Sequence, residues 1–192
     1  MVTVGADFEE RVRAVLFQVV SVGTTTGYAT EDFDQWPQLM RFALLLLMFT
    51  GGCMGSTGGG VKAARLVIYA KVLLRELHHL IYPRGVRPIR IGDRVLDSAI
   101  VSNILAFGAA YVATFLFGAL VMAACGYDLI SSVSASAAAL GNIGPGLGAV
   151  GPLENWAHLP AVAKWVMSLL MLMGRLELFS VVVLMTPWAW RR

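Results

Sequence analysis

Charged residues are scarce in this sequence. Asp, Glu, Lys and Arg make up 14% of its 192 residues, whereas hydrophobic residues make up 57% and the mean hydropathy is +0.70. A typical soluble domain carries about 25% charged residues, so this chain has too few polar side chains to cover a water-exposed surface. The composition therefore argues against an ordinary soluble domain and predicts a membrane protein.

Cysteine and catalytic motifs are scarce as well. The two cysteines, Cys53 and Cys125, fall in glycine-rich or apolar segments and indicate neither a disulfide framework nor a metal site. No Gly-Lys-Ser or Gly-Lys-Thr follows the glycine-rich stretch at 51–60, which excludes a Walker-type phosphate loop. The sequence also lacks a nucleophile–base spacing and a cofactor motif. We therefore expect neither an enzyme nor a bound cofactor, and a membrane enzyme is the least favoured alternative.

The few charges are unevenly distributed. Ten of the fifteen basic residues form one cluster and a terminal pair: Lys62, Arg65, Lys71, Arg75, Arg84, Arg87, Arg90 and Arg94, then Arg191 and Arg192. The positive-inside rule then predicts that the 71–94 loop and the C-terminus are cytoplasmic, and that 28–37 and 126–158 lie outside. The cluster has few interleaved aromatic residues, so we expect no nucleic-acid partner.

Two short helices are predicted, each followed by a polar or glycine-rich segment. Residues 7–20 begin with a capping pattern, Asp7 with Glu10, and extend about 20 Å, whereas a bilayer core is about 30 Å thick. Residues 128–140, rich in serine and alanine, are short in the same way. Neither helix can cross a bilayer, so each is expected to enter the membrane and return, or to lie on its surface.

The segments that follow these helices have the composition of a cation site. They read SVGTTTGYAT at 21–30 and GNIGPGLG at 141–148. Glycine permits backbone angles that other residues avoid, and threonine adds a hydroxyl oxygen with little bulk. The backbone carbonyls of such a segment can face a cation, as in the TVGYG filter of potassium channels, which 21–30 resembles. The alternative is an ordinary polar loop between membrane helices.

Residues 36–74 are predicted to form one interrupted span. The apolar run at 40–50 is followed by GGCMGSTGGG at 51–60, and the apolar pattern then resumes to about residue 74. Non-helical backbone at membrane depth persists only where it lines water or is buried in protein, and broken helices mark ion and substrate pathways. The glycine-rich break is therefore expected to face a pore, and a flexible kink for helix packing is the alternative.

Two further spans are predicted at 95–125 and 159–190. The second contains Arg175 and Glu177, and a charge within a span indicates a functional role by default. Residues two apart on a helix do not face each other, so the two charges are expected to have separate partners. We expect Arg175 to face a pore, and a structural ion pair is the alternative.

Four motifs, in the same order along the chain, are similar to those of one family. They are SVGTTTGYAT at 21–30, GGCMGSTGGGVK at 51–62, LGNIGPGLG at 140–148 and MGRLEL at 173–178. Together they resemble the C-terminal part of Trk-type potassium uptake proteins of the Trk/Ktr/HKT superfamily. The resemblance implies an all-α, potassium-channel-like membrane protein made of span–pore loop–span repeats with re-entrant pore helices. It implies that 1–94 is a third repeat without its first span, ending in a cytoplasmic loop at 75–94, and that 95–192 is a complete fourth repeat.

The resemblance also implies roles for individual residues. Two walls of a potassium selectivity filter would be formed by Thr25, Thr26, Gly27 and Tyr28 and by Asn142, Ile143, Gly144 and Pro145. Potassium would be bound at Thr25, Thr26, Gly27, Asn142, Ile143 and Gly144. The gate below the filter would comprise Gly51, Gly52, Gly55, Ser56, Thr57, Gly58, Gly59 and Gly60, together with Arg175. The charge of Arg175 would oppose cation passage at the constriction.

The chain departs from the family pattern because it holds two filter walls where the family has four. Half a carbonyl ring does not replace the hydration shell of potassium, so we expect no conduction by this chain alone. The expected partners are the lipid bilayer, a chain carrying the missing repeats or a full-length transporter, a second copy in a dimer, and a cytoplasmic nucleotide-binding regulatory subunit at the 71–94 loop. The expected location is the bacterial inner (plasma) membrane, with several spans. The alternative is a truncated, non-conducting fragment or scaffold.

Overall fold

The structure, a computed structural model, describes residues 8–53, 55, 56, 58–83, 85, 88–92, 94–185 and 190. The predictions made for Asp7, Thr57, Arg84, Arg87, Arg191 and Arg192 lie outside these residues. The described residues form seven α-helices and two short strand pairs. The helices are α1 (Phe8–Gly23), α2 (Gln38–Met48), α3 (Ala63–Ile81), α4 (Ser98–Ala124), α5 (Leu129–Gly141), α6 (Ala161–Arg175) and α7 (Leu178–Met185).

The strand pairs close two loops. Strand β1 (Thr50–Gly51) is parallel to β2 (Val61–Lys62), and these strands are the two ends of the glycine-rich break. Strand β3 (Arg90–Ile91) is antiparallel to β4 (Arg94–Val95) in the connection between α3 and α4. Short 3₁₀ turns occur at Phe33–Gln35, Gly148–Val150 and Trp156–His158.

Helix α5 lies at the centre of the fold, packed between α4 and α6. Its ten residues from Ser131 to Gly141, Val133 excepted, are buried, although four of them are serines. Small side chains let neighbouring helices approach closely. The serine hydroxyls are hydrogen-bonded: Ser136 Oγ donates to Phe115 O at 2.7 Å and Ser134 Oγ to Leu147 O at 3.0 Å. A buried polar group is tolerated when it is paired in this way.

One helix among the described residues, α4, is long and apolar enough to span a membrane. Helices α2 and α5 are apolar but shorter. Large apolar side chains lie on the outer surface of several helices, as shown by Leu120 on α4 and Trp165 on α6, which are 68% and 79% exposed. An outer surface of this kind suits a lipid environment.

Some helix boundaries differ from those predicted. Helix α1 extends three residues beyond the predicted end at residue 20, and α3 extends to Ile81, into the predicted cytoplasmic loop. His78 and His79 lie in this extension, in the last turn of α3. The span predicted at 159–190 is interrupted between α6 and α7, because Glu177 has a φ of 57°, which an α-helix cannot accommodate.

Candidate functional site

The C-terminus of α1 ends in a defined backbone turn. Thr25 has a φ of 57° and Gly27 a φ of 78°. The N–H of Thr25 donates to Val22 O at 3.1 Å, and the N–H of Thr26 donates to Ser21 O at 2.9 Å. This pair of bonds is the Schellman arrangement, in which a left-handed residue ends the helix and the last carbonyls are satisfied.

The C-terminus of α5 ends in the same turn. Asn142 has a φ of 55° and Gly144 a φ of 112°. The N–H of Asn142 donates to Ala139 O at 3.1 Å, and the N–H of Ile143 donates to Ala138 O at 3.0 Å. Asparagine is one of the few residues other than glycine that adopt the left-handed region readily. The two segments therefore leave their helices with matching backbone geometry, although their sequences differ.

The two segments also touch. A Cβ built on Gly27 would collide with the carbonyl oxygen of Ile143 and would lie 3.4 Å from Cδ of Pro145. Only a residue without a side chain permits this approach, and the positive φ of Gly27 adds a second reason for glycine there. Gly144, in contrast, has open space around its Cα, since a Cβ there would meet nothing within 4 Å.

Polar side chains hold the first segment in an extended form. Ser21 Oγ donates to Tyr28 O at 2.6 Å. The buried Gln18 amide, oriented to satisfy its neighbours, accepts at its oxygen from the N–H groups of Thr30 at 2.9 Å and Glu31 at 3.1 Å. These bonds fix the segment at both ends. In the sequence, only its polarity within an apolar helix distinguishes Gln18.

A carboxylate links the two segments. Asp34 Oδ1 accepts from the N–H of Gly148 at 3.1 Å and from Arg41 Nη2 at 2.7 Å. Its contact with Gly148, 114 residues away, joins the loop after α1 to the loop after α5.

The glycine-rich break lies against the C-terminal ends of α1 and α5. A Cβ on Gly58 would lie 2.9 Å from Oγ1 of Thr25, and a Cβ on Gly59 would collide with the carbonyl oxygen of Gly141 and lie 3.1 Å from Nδ2 of Asn142. Glycine is therefore required at both positions by close contact. The structure thus brings together three of the predicted segments: the two filter walls and the glycine-rich gate.

Helix α6 is fixed to the C-terminal end of α5 and the segment after it, near Arg175. Asn142 Nδ2 donates to Met171 O at 2.9 Å, and a Cβ on Gly174 would collide with the carbonyl oxygen of Leu140. Arg175 is exposed, and among the described residues it forms no ion pair. Its side chain lines a cavity of about 30 Å³, room for about one water molecule, beside Ser56 and Gly58. Arg175 therefore lies next to the glycine-rich break.

Glu177 connects the interruption between α6 and α7 to the glycine-rich break at 51–60. Lys62 Nζ donates to Glu177 Oε1 at 2.6 Å, and Arg65 Nη2 lies 3.3 Å from Glu177 Oε2. The guanidinium of Arg65 also lies over the Phe107 ring, 4.0 Å from its centre. Glu177 thus has partners other than Arg175, in agreement with the separate partners expected. The sequence could not identify Lys62 and Arg65, since they lie more than a hundred positions away.

Comparison with known proteins gives the family of the chain. The family described as "TrkH: Cation transport protein" matches residues 4–189. The chain belongs to the TrkH family. It is 39% identical to the Trk system potassium uptake protein TrkH of Halomonas elongata, over 97% of this chain and 39% of that protein. It is 41% identical to the TrkH of Escherichia coli K12, over 94% of this chain and 37% of that protein.

A solved TrkH structure shows the same fold. The crystal structure of the potassium transporter TrkH from Vibrio parahaemolyticus aligns with a TM-score of 0.88 and 40% identity, over 97% of this chain and 40% of that one. The chain spans about two fifths of the length of these TrkH proteins. The mostly helical fold and the family membership are therefore established, whereas the activity of whole TrkH proteins remains to be argued for this chain.

Proposed function

We propose that this chain supplies two walls of a potassium pathway in a Trk-type uptake system. The observation that carries the proposal is the matched pair of turns after α1 and α5. Each turn begins with a left-handed residue, Thr25 or Asn142, and has a glycine of positive φ two positions later. Two equivalent turns in contact are what two repeats around one pore axis require. Their helices, α1 and α5, are the re-entrant pore helices of this proposal.

The chemistry of these walls suits a desolvated monovalent cation. The backbone carbonyls of Thr25, Thr26 and Gly27 and of Asn142, Ile143 and Gly144 replace water around potassium. Tyr28 and Pro145 complete the walls. The C-terminal ends of α1 and α5 add about half an elementary negative charge each at the ends of the pore helices, which favours a cation there.

The glycine-rich break is the gate of this pathway. The segment 51–60 contacts the ends of both pore helices through Gly58 and Gly59. Most positions of this segment carry no bulky side chain. Its backbone can therefore move past the ends of the pore helices with little steric hindrance. Arg175 adds a positive charge beside it, which opposes a cation in the same space. The Lys62–Glu177 ion pair anchors one end of the gate to the broken last span.

The remaining assignments concern surroundings and partners. The chain lies in the bacterial inner membrane with the 71–94 connection and the C-terminus in the cytoplasm, because the basic residues concentrate there. Two walls form half of a carbonyl ring, so the chain acts with a chain that supplies the missing repeats or with a full-length transporter. Dimerisation and a cytoplasmic nucleotide-binding regulatory subunit belong to the same proposal. The TrkH relatives named above are potassium uptake proteins, and this supports a transport role and gives no support to an enzyme.

Potassium/sodium selectivity tests the filter. A Gly144→Ser chain is expressed with a chain supplying the missing repeats in cells without other potassium uptake. Serine at a φ of 112° is strained, and relaxation moves the carbonyls of this wall, so potassium/sodium preference falls. Gly126→Ser is the matched control, since Gly126 also has a positive φ, 92°, with open space around it, but lies outside both walls. Equal selectivity in the two variants would remove Gly144 from the filter.

A further inference from the structure

A basic groove lies between α3 and the β3–β4 hairpin, away from the filter and the gate. Its volume is about 450 Å³. It is lined by Lys71, Leu74, Arg75, Pro88, Ile89 and Arg90. Three of these side chains are cationic and three are apolar, so the groove offers both positive charge and hydrocarbon.

The groove has fixed walls. Ile89 is 5% exposed and packs with Ile68, Val72 and Val101, which attaches the hairpin to α3 and α4. Lys71 Nζ donates to the backbone oxygen of Arg90 at 2.5 Å, so the helix and the hairpin are joined directly across the groove. The apolar contact of Ile89 and the hydrogen bond of Lys71 together keep the groove in a preformed shape.

The charge of the groove is strongly positive. Lys71 and Arg75 are four apart on α3 and therefore lie on one face, one turn from each other. Arg90 faces them from the hairpin. Among the described residues, the acidic group paired with these cations is Glu76, whose Oε1 lies 2.8 Å from Arg75 Nη2, and Glu76 does not line the groove. The rim therefore keeps an excess of positive charge that an anion would neutralise.

Apolar surface continues from the groove along α3. Leu73 and Leu74 are 62% and 61% exposed, and Leu77 is 50% exposed. An anionic group alone would use the cationic rim but would leave these leucines uncovered. On α3, leucines and cations alternate at the water–membrane boundary. A protein partner would therefore have to match apolar and cationic groups that alternate along one helix. A phospholipid satisfies both parts, with its phosphate at the rim and an acyl chain along the leucines.

We propose that this groove binds one anionic phospholipid, of the phosphatidylglycerol class, from the cytoplasmic leaflet. The proposal rests on the membrane orientation given above and does not depend on ion conduction. The lipid would fix the α3–hairpin connection at the end of the helix that leads out of the gate. Basic pockets on the cytoplasmic side of membrane helices bind anionic headgroups in general, and each basic group near an anionic surface adds about fivefold in binding.

Native mass spectrometry of the detergent-purified chain tests the proposal. Phosphatidylglycerol, phosphatidylcholine and soluble glycerol phosphate are titrated separately. We expect one phosphatidylglycerol to be retained, phosphatidylcholine to be retained far less, and glycerol phosphate not to bind. Lys71→Gln/Arg90→Gln is expected to weaken phosphatidylglycerol binding about 25-fold, from two charges at about fivefold each. Arg11→Gln/Arg13→Gln removes the same charge from exposed positions on α1 and is the matched control.

A charge-preserving variant separates loss of binding from loss of folding. Lys71→Arg/Arg90→Lys keeps both cations and is expected to bind phosphatidylglycerol as the unaltered chain does. Equal retention of the two lipids, or equal weakening in the control pair, would overturn the proposal. It would also be overturned if glycerol phosphate bound as tightly as the lipid. The proposal would also be overturned if Lys71→Gln/Arg90→Gln weakened the binding of a cytoplasmic protein partner but left lipid binding unchanged.

Discussion

At the scale of single residues, the candidate filter depends on two glycines that serve different purposes. Gly27 is needed for contact as well as conformation, because a Cβ there would collide with the carbonyl oxygen of Ile143. Gly144 is needed for conformation alone, since the space around it is open. The two positions are equivalent in the matched turns, so substituting both in the same way separates steric contact from backbone strain.

Alanine at these glycines gives the first prediction. Gly27→Ala is expected to lower the free energy of unfolding by about 1–3 kcal/mol more than Gly144→Ala, the usual loss from overpacking a close contact. Both variants place a Cβ at a positive φ, and the φ of 112° at Gly144 is the more strained of the two, so a larger loss at Gly27 reports the contact. Unfolding of the purified chains in detergent measures the difference. Equal losses would mean that the two walls are not in contact.

Asp128 gives a prediction about pH. Its Oδ2 accepts from the N–H of Ser131 at 3.3 Å and caps α5, and hydrogen bonding from Ser131 lowers the pKa of Asp128 below its ordinary value of 3.8. A lowered pKa means that the charged form is favoured by folding. This stabilisation is present above the unfolded-state pKa and is lost as the pH falls through the folded-state pKa.

The Asp128→Asn variant tests this linkage because it keeps an acceptor oxygen but does not titrate. The unaltered chain is expected to be the more stable of the two at neutral pH, by about 1 kcal/mol or less for a helix cap. The gap is expected to close as the pH falls through the ordinary pKa of 3.8 and then through the lower pKa of the folded state. Unfolding measured across this range checks it, and a gap that stays constant would show that Asp128 is not a charged cap.

At the scale of secondary-structure elements, the interrupted last span is coupled to the glycine-rich break. Glu177 lies between α6 and α7 and pairs with Lys62, the residue at which the break ends. The side chains of Lys62 and Arg65 are only about one fifth exposed, at 19% and 21%, so loss of their counter-charge is poorly compensated by water.

Glu177→Gln is therefore expected to destabilise the fold by about 1 kcal/mol, the upper part of the range for partly exposed pairs. In a conducting combination it is also expected to alter uptake, because one anchor of the gate is weakened. Glu76→Gln is the control, since it removes a carboxylate from the more exposed pair with Arg75. Unfolding and potassium uptake of the two variants are compared. If Glu177→Gln and Glu76→Gln behave alike in unfolding and in potassium uptake, Glu177 does not couple the last span to the glycine-rich break.

The elements were predictable from the sequence where local pattern decides them. The apolar runs predicted α2, α4 and α6. The six glycines of 51–60 predicted the break, because glycine destabilises a helix locally, whatever the tertiary contacts around it. The end of α1 and the length of α3 differed, since helix ends depend on capping contacts such as the bond from Thr24 Oγ1 to Val20 O.

Long-range contacts were beyond prediction from the sequence. The interruption at Glu177 follows from a left-handed residue held by Lys62, and no periodicity of the apolar pattern indicates it. The contact of Asp34 with Gly148 likewise joins residues 114 positions apart. The candidate filter residues were assigned through motif resemblance, and their matched backbone turns became visible only in three dimensions. Which side the basic cluster faces stays a prediction.

At the scale of the whole molecule, the central claim is that the chain holds half of a potassium pathway. It covers about two fifths of the TrkH proteins it resembles, and it contains two of the matched turns. A cation stripped of its water needs oxygen atoms on all sides, which two adjacent walls do not provide. The proposal therefore requires further walls, beyond these 192 residues, before potassium can pass.

Potassium uptake into cells that lack their own uptake systems tests this claim most directly. The chain is expressed alone, a chain carrying the missing repeats is expressed alone, and the two are expressed together, with membrane expression verified in each case. The account predicts growth at low potassium and measurable potassium influx only when both chains are present. Influx through this chain by itself, or no influx when both chains are in the membrane, would contradict it.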